Sequence, residues 1–369
     1  MEISEIDVNF DFSFKIPDNT VYFDCFDDPI EINGLYEPKK IKKYLRLPEE
    51  FEKDEDISPG VRELIHNTAG GRVRFATDSL YVVIMIELSD AVSVSHFSPL
   101  GHSGADIFIS ERGKDDYLFK SPVLPPAVID GKHKKYGGMI FFSDYDRFES
   151  HEVMIDLPPY NGVNSIYIGI GENSKIYSPV PYRKKKPVYF YGASITQGAC
   201  ASRPGNNYPN LLSRWLSCDF YNLGFSGNAK GEKKIANYLA GSDAAALVID
   251  MDISANDIEI FKNTHYPFYE EIRKSNKSVP LIFLSFPKYP KIHHPSGSRF
   301  RDHIISNRII CETCIKAWQN GDENVYYIDG ETLFGTTDQD FCTVDYSHPN
   351  DYGFYKIAEG LYPTLKKII

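Results

Sequence analysis

The residue of this sequence that best fits a chemical role is a serine, Ser194, which lies between Gly192 and Gly198. The segment Tyr191–Gly198 reads Tyr-Gly-Ala-Ser-Ile-Thr-Gln-Gly and follows an apolar run that predicts a buried strand. Gly192 permits a tight turn, so Ser194 is presented where a helix or turn begins, close to free backbone N–H groups. A serine hydroxyl in that place is a candidate nucleophile, although a serine at a helix start is also a common N-cap.

A carboxylate and an imidazole occur together near the C-terminus. The segment Asp345–Asn350 reads Asp-Tyr-Ser-His-Pro-Asn and precedes a predicted closing helix. The three-residue spacing lets Asp345 and His348 reach one site from one turn. The carboxylate can accept from Nδ1–H of the imidazole and fix its tautomer, which leaves Nε2 to take a proton from a hydroxyl. We therefore predict that His348 and Asp345 act with Ser194.

Two further segments offer hydrogen-bond donors for a developing negative charge. In Asn222–Asn228, the glycines let the backbone approach closely, and the N–H of Gly227 is a candidate donor. In Asp250–Asp257, the side-chain amide of Asn256 is another. With the N–H of Ser194 these groups predict an oxyanion hole. Taken singly, the first segment could be an ordinary glycine-rich turn and the second a helix cap.

The second half of the chain has the pattern of an α/β fold. Apolar runs beginning at Pro187, Ala244, Pro280 and Val325 alternate with predicted helices at Tyr208–Cys218, Asn307–Trp318 and Tyr352–Ile368. Strands that are apolar on both faces and alternate with helices predict a parallel sheet covered on both sides. Ligands bind beyond the carboxyl ends of the strands in such sheets, and the four polar segments lie there.

The first half has a different period. Its short β-branched runs alternate in period two and are bounded by Gly, Pro, Asp or Asn, as in Leu80–Leu88 and Asn164–Ile170. This pattern predicts an all-β sandwich, jelly-roll-like domain. The change in composition at Pro179–Pro187 divides the chain into an N-terminal β domain, 1–182, and a catalytic α/β domain, 187–369.

Composition excludes several other classes of protein. The 369 residues are 42% hydrophobic and 25% charged with a net charge of −11, and no basic face for nucleic acid is visible. No signal peptide and no run of 18 apolar residues is present, so we predict a cytoplasmic protein without a membrane partner. Cys311 and Cys314 form a CxxC without a second pair, which favours helix packing over zinc. The sequence predicts no cofactor and no metal.

The order of Ser194, Gly227, Asn256 and His348, each opening its own block, resembles the SGNH (GDSL-type) hydrolase superfamily. The chain looks most like the branch of carbohydrate-type esterases with an N-terminal β-domain. That branch has Gly-x-Ser-x-x-Gln-Gly in its first block, as here, and Gly-x-Asp-Leu-Tyr where this chain has Gly104–Phe108. The chain departs from the common pattern in two places: Ser254 replaces a Gly in the third block, and the first block reads Gly-Ala-Ser rather than Gly-Asp-Ser.

The resemblance implies a three-layer, flavodoxin-like sheet and a serine esterase that removes small acyl groups, most simply acetyl, from a carbohydrate. Three alternatives stay open: a non-catalytic carbohydrate-binding protein on the same scaffold, an acyltransferase, and a lipid-type esterase with the same triad. The intact Ser, His and Asp argue against the first. The lack of a long apolar stretch near the site argues against the last.

Overall fold

The structure, a computed structural model, describes residues 6–7, 13–127, 134–142, 149–251, 257–287 and 297–369, with side chains from residue 303 onward in the last range. Its first half is built from antiparallel strands. These are β1 (Thr20–Asp24), β2 (Glu31–Asn33), β3 (Arg72–Thr77), β4 (Tyr81–Leu88), β5 (Ala105–Glu111), β6 (Leu118–Val123), β7 (Lys135–Phe141), β8 (His151–Asp156), β9 (Val163–Gly171) and β10 (Ile176–Tyr177).

These strands form two sheets that pack face to face. One sheet has the order β1-β9-β4-β7, and the other has the order β10-β3-β8-β5-β6 with β2 paired to β3. Alternate residues of β4 and β9, such as Ile84 and Ile168, are fully buried and share one apolar core with Phe75 and Ile155 of the other sheet. The period-two pattern thus produces the predicted β-sandwich, because one face of each sheet is removed from water.

The second half contains a five-stranded parallel sheet in the described part of the chain. Its strands are β11 (Lys184–Gly192), β12 (Cys218–Gly224), β13 (Ala246–Asp250), β14 (Leu281–Leu284) and β15 (Val325–Ile328), in the order β12-β11-β13-β14-β15. Every neighbouring pair is parallel. This doubly wound order agrees with the flavodoxin-like sheet that the family resemblance implies. β11 begins at Lys184, inside the segment Pro179–Pro187 where the sequence changes in composition.

Helices cover both faces of the parallel sheet. The α-helices are α1 (Pro38–Ile41), α2 (Pro59–Leu64), α3 (Pro99–Ser103), α4 (Ser194–Gln197), α5 (Tyr208–Leu216), α6 (Lys233–Gly241), α7 (Ile258–Ser275), α8 (Gly297–Gln319) and α9 (Asp351–Ile368). Tyr189 and Tyr191 of β11 face the core that contains α6, α7 and α8. Val188 and Phe190 face the core that contains α5 and α9. A strand segment buried on both faces needs apolar residues at successive positions, as β11 has from Val188 to Tyr191.

Part of the chain before residue 180 packs on the parallel sheet rather than in the sandwich. Leu47, Phe51, Val61 and Ile65 are buried in the same core as α6 and α7. Nearby, the fully buried guanidinium of Arg46 donates to the backbone oxygen of Asn222 at 3.2 Å. The two halves therefore share a core as well as polar contacts, and the domain limits 1–182 and 187–369 stay a prediction.

Two chain-wide predictions concern cysteines and membranes. All six cysteines lie in described segments and none is in a disulfide. Cys314 is buried in α8, beside the half-buried Cys311, in a helix as expected. Among the helices that the structure describes, none combines the length and the apolar character needed to cross a bilayer.

Candidate active site

Three of the four polar segments follow strands that end at the same level of the sheet. Gly192, the last residue of β11, is opposite Gly224 of β12 and Asp250 of β13. Ser194 begins α4 two residues later, and the turn with Gly227 follows β12 directly. Parallel pairing of β11 with both neighbours therefore brings these segments to one edge, because their carboxyl ends point the same way.

Ser194, His348 and Asp345 are connected by hydrogen bonds in the predicted order. The Oγ of Ser194 lies 2.9 Å from Nε2 of His348, and Nδ1 of the same ring lies 2.8 Å from Oδ2 of Asp345. Ser194 is 9% exposed, and the side chains of His348 and Asp345 are 22% and 32% exposed. A hydroxyl with an imidazole on one side and a carboxylate behind it has the geometry for general-base activation of the hydroxyl.

The carboxylate of Asp345 is held by its own loop. Its Oδ1 accepts from the backbone N–H of Ser347 at 2.9 Å and of His348 at 2.7 Å. Tyr346, at φ 63°, turns the chain between them. Partial burial acts to raise the pKa of Asp345, but the hydrogen bonds from the ring and backbone of His348 outweigh it, and the net pKa is far below its usual range. Asp345 is therefore ionised at neutral pH.

Of the predicted oxyanion donors, two lie in described segments. Gly227 has φ 64°, a left-handed conformation that favours glycine, and a methyl group built on it would meet no described atom within 4 Å. Ser194 is the first residue of α4, after Ala193 at its N-cap. Asn256 and Ser254 lie outside the described residues. Asp257, the next residue, caps α7 through a 2.8 Å bond to the N–H of Ile260.

Gln197, the Gln of the first block, fixes the second block in place. Its Oε1 accepts from the N–H of Ser226 at 2.9 Å, next to Gly227. Its Nε2 donates to the side chain of Asn67 and to the carbonyl of Pro159, both at 3.0 Å. Gln197 is part of the Gly-x-Ser-x-x-Gln-Gly motif, but the sequence pattern indicates no role for it. A fully buried amide that bonds three segments is a positioning residue for the turn.

Residues from the first half of the chain pack against the triad, and the sequence did not predict them. The hydroxyl of Tyr160 donates to the carbonyl of Ser194 at 3.3 Å. Phe97 packs edge-on against Tyr160 and against His348. His96 lies with Nε2 3.6 Å from Oδ2 of Asp345. The segment around His96 contains no strand or helix pattern, so periodicity carried no signal for it.

A doubly wound parallel sheet with a serine, a histidine and an aspartate in hydrogen-bond contact at its carboxyl edge is typical of hydrolases with a three-layer fold. Two family models together match most of the chain. Residues 185–366 match the GDSL-like lipase/acylhydrolase family, and residues 20–176 match the N-terminus of SGNH-hydrolase-type esterases, the GxDLY family. The chain therefore belongs to the GDSL-like, SGNH-type hydrolases, and it is an ester-bond hydrolase with the N-terminal region of that esterase type.

Solved structures share this architecture over nearly the full length. A protein described as a GDSL-like lipase from Bacteroides ovatus is 26% identical with a TM-score of 0.78, and the match covers 95% of this chain and 98% of that one. A salicylyl-acyltransferase from a tetracycline biosynthetic pathway is 15% identical, with a TM-score of 0.69 and coverage of 94% and 96%.

A family two carbohydrate esterase from Cellvibrio japonicus is 12% identical, with a TM-score of 0.59 and coverage of 95% and 98%. At their low identities, this esterase and the acyltransferase show the fold alone. No curated protein matches the chain in sequence.

Proposed function

We propose that this protein is a serine esterase that hydrolyses acetyl esters of a carbohydrate, with Ser194 as nucleophile, His348 as general base and Asp345 as the partner of the imidazole. One observation carries the proposal. The hydroxyl, the imidazole and the carboxylate stand in one hydrogen-bonded line, at 2.9 and 2.8 Å, although they come from segments more than 150 residues apart.

The first step would be attack of the Ser194 oxygen on the ester carbonyl. Nε2 of His348 takes the hydroxyl proton, and the ionised Asp345 stabilises the resulting imidazolium. The N–H groups of Ser194 and Gly227 and the side-chain amide of Asn256 would bind the oxyanion. The imidazolium then protonates the leaving sugar hydroxyl, and water, activated by the same base, hydrolyses the acetyl-enzyme.

The carbohydrate part of the proposal draws on relatives of the same fold. A family two carbohydrate esterase from Clostridium thermocellum was solved in complex with cellohexaose, and it covers 81% of this chain at a TM-score of 0.53. Phe97 and Tyr160 lie beside the serine but are buried, so they support the triad and are not counted as sugar-binding surface.

Replacement of the nucleophile is the direct test. Ser194→Ala should lower kcat by about four to six orders of magnitude, since the members of such a triad act as a unit. The measurement is acetate release from a panel of acetylated mono- and oligosaccharides, with p-nitrophenyl acetate as a general substrate. Ser278→Ala is the control, because this exposed serine lies in the connection before β14, where its backbone N–H bonds the side chain of Asn276. Near-wild-type turnover by Ser194→Ala would refute the nucleophile.

The role proposed for Asn256 has its own test. Asn256→Ala should reduce kcat by about 10² to 10³, the usual loss for one oxyanion donor, with a smaller change in KM. Asn263→Ala in α7 is the control, since its amide donates to the carbonyl of Glu259 within the same helix. A KM increase with unchanged kcat would show that Asn256 binds substrate rather than the oxyanion.

Transfer to an acceptor alcohol would begin with the same acetyl-enzyme. The choice between hydrolysis and transfer therefore depends on what attacks the intermediate. With a large excess of a sugar or short alcohol as acceptor, a hydrolase releases mainly free acetate. Acetylated acceptor as the dominant product would make the protein an acyltransferase.

A further inference from the structure

Four potential metal ligands converge beside the proposed triad. His96, Cys200, Asp345 and His348 each offer one ligand atom, and within the described residues these atoms all lie within 4.8 Å of one another. They come from three separate segments: the connection after β4, the segment after α4, and the loop before α9. The sequence predicted no metal site, because the ligands have no common spacing.

The cluster is centred on one carboxylate oxygen. Oδ2 of Asp345 lies 2.8 Å from Nδ1 of His348 and 3.6 Å from Nε2 of His96. The thiol of Cys200 lies beside the segment that contains His96, with Sγ 3.9 Å from the backbone carbonyl of His96. Cys200 has φ 70°, a left-handed conformation that a non-glycine residue adopts at a cost of about 1 kcal/mol. The chain therefore has a cysteine side chain at this position, although the backbone conformation there would favour glycine.

We propose that this cluster is a site for Zn²⁺ or a similar borderline-soft divalent cation, and that its occupation switches the enzyme off. Two imidazole nitrogens, a thiolate and a carboxylate oxygen form a mixed N, S and O set with the four donors that Zn²⁺ prefers. A hard cation such as Mg²⁺ would not select a thiol and two imidazoles.

Only small movements are needed to close the site. Zinc–ligand bonds of about 2.0 to 2.3 Å in a tetrahedron put the ligand atoms roughly 3.3 to 3.8 Å apart. Their present separations, up to 4.8 Å, therefore have to shrink by about 1 Å. The side chain of His96 is 42% exposed, so it has room to move and opens a path for the cation.

Binding has a defined proton balance. Zn²⁺ binds the thiolate, so the cation must displace the thiol proton of Cys200 to solvent. The nitrogen of His348 that faces the cluster is Nδ1, which now bonds Asp345. When the metal takes Nδ1, the single proton of the neutral ring moves to Nε2. Nε2 then donates to Ser194 and can no longer accept its proton.

The inhibition, but not the binding, rests on the proposed function. Cation binding is therefore measured directly with Co²⁺. Cobalt–thiolate complexes have a charge-transfer absorption in the near ultraviolet, which reports binding. Wild type should bind one Co²⁺ with this absorption, and Zn²⁺ should displace it. Ser194→Ala should bind equally well, which tests the site even if the protein shows no esterase activity.

Cys200→Ser and His96→Asn each remove one ligand with little change in size. Each should weaken Zn²⁺ binding by at least about 10-fold, and Cys200→Ser should also lose the charge-transfer absorption. In an active enzyme, Zn²⁺ should abolish acetate release and fluorophosphonate labelling of Ser194, and EDTA should restore both. The half-inhibitory Zn²⁺ concentration should rise at least about 10-fold in both variants.

Matched controls exist for both ligands. His66 is another exposed histidine beside a carboxylate, 3.9 Å from Glu52, and Cys311 is a half-buried free thiol. His66→Asn and Cys311→Ser should bind and respond to Zn²⁺ like wild type. Equal Co²⁺ spectra in wild type and Cys200→Ser would overturn the site. Full activity of a protein saturated with Zn²⁺ at this site would overturn the switch.

Discussion

Asp345 shows how one residue can be held ionised at a partly exposed place. Its two oxygens are used differently: Oδ1 accepts from two backbone N–H groups and Oδ2 faces the ring of His348. Each of these bonds favours the charged carboxylate over the neutral acid, which explains the depressed pKa. A carboxylate fixed from behind orients the imidazole as well as stabilising its charge.

Replacing this carboxylate with an amide should therefore lower kcat by more than the loss of its negative charge would explain. Asp345→Asn would favour the wrong tautomer of His348, and kcat should fall on the order of 10⁴. The measurement is p-nitrophenyl acetate turnover together with the melting temperature. Asp340→Asn, an exposed carboxylate in the same loop region, is the control and should keep wild-type kcat. A loss below about 10-fold in Asp345→Asn would remove Asp345 from the mechanism.

The depressed pKa also affects folding. A carboxylate with a pKa lower in the folded state than in the unfolded chain stabilises the fold above the unfolded value, and this stabilisation is lost as the pH falls through the folded value. For Asp345 that loss lies on the acidic side of its ordinary range. Neutral assays of the variants are therefore unaffected by its titration.

At the scale of elements, the site depends on turns rather than on the interiors of strands and helices. α4 has only four residues, and its Gln197 connects the end of β11 with the turn after β12. The same side chain reaches the connections of the first half at Asn67 and Pro159. A helix of four residues is not stable in isolation. Hydrogen bonds to other segments therefore fix the position of α4.

Removal of the Gln197 amide should affect activity and stability together. Gln197→Ala should lower kcat about 10- to 100-fold by displacing the Gly227 turn. It should also lower the free energy of unfolding by about 1 to 3 kcal/mol, since buried partners lose their bonds. Asn67→Ala removes one partner but leaves the bond to Ser226, so it should reduce stability with much less change in kcat. Equal kcat losses in both variants would contradict the positioning role.

At the scale of the whole molecule, buried charges join the sandwich to the parallel-sheet half. Asp106 and Asp156 lie opposite each other on β5 and β8, and both are fully buried. Asp106 accepts from Arg203 at 2.8 Å and from the N–H of Gly205 at 2.7 Å, and Asp156 accepts from Arg214 at 3.2 Å. A methyl group on Gly205 would lie 2.7 Å from Asp106, so the backbone must come this close.

Two facing carboxylates do not both ionise easily. The Oδ1 atoms of Asp106 and Asp156 have no hydrogen-bond partner among the described residues. Burial raises the pKa of Asp106 to about 6, with Asp156 adding to the rise while Arg203 and Gly205 oppose it. Burial also raises the pKa of Asp156. The interface therefore holds a proton at mildly acidic pH that the unfolded chain would release.

The sign of this effect can be tested. Because the folded pKa of Asp106 lies above the unfolded value, its contribution to stability is present below about pH 4 and is lost as the pH rises through about 6. Relative to Asp106→Asn, wild type should lose up to about 3 kcal/mol between these pH values. Urea unfolding of both proteins at each pH measures the difference. If the unfolding free energy of wild type relative to Asp106→Asn stays constant or increases as the pH rises, the result would contradict the raised pKa.

The sequence by itself determined the class of fold and predicted which groups should meet in the site. Alternation in period two, and apolar runs buried on both faces, depend only on which side chains must leave water, so they can be read locally. Ser194, Gly227 and the pair of Asp345 and His348 could be placed together because parallel strands end at one edge. The helices α6 and α7 were not predicted, and α7 contains Pro267, which normally ends a helix.

Only the tertiary structure decided what surrounds the triad. His96, Phe97 and Tyr160 come from connections without periodicity, and their position depends on how the sandwich packs against the sheet. The burial of Leu47 to Ile65 in the α/β core likewise depends on distant partners. Local patterns report the environment of each residue as apolar or polar. Which distant segments share that environment is decided by packing of the whole chain.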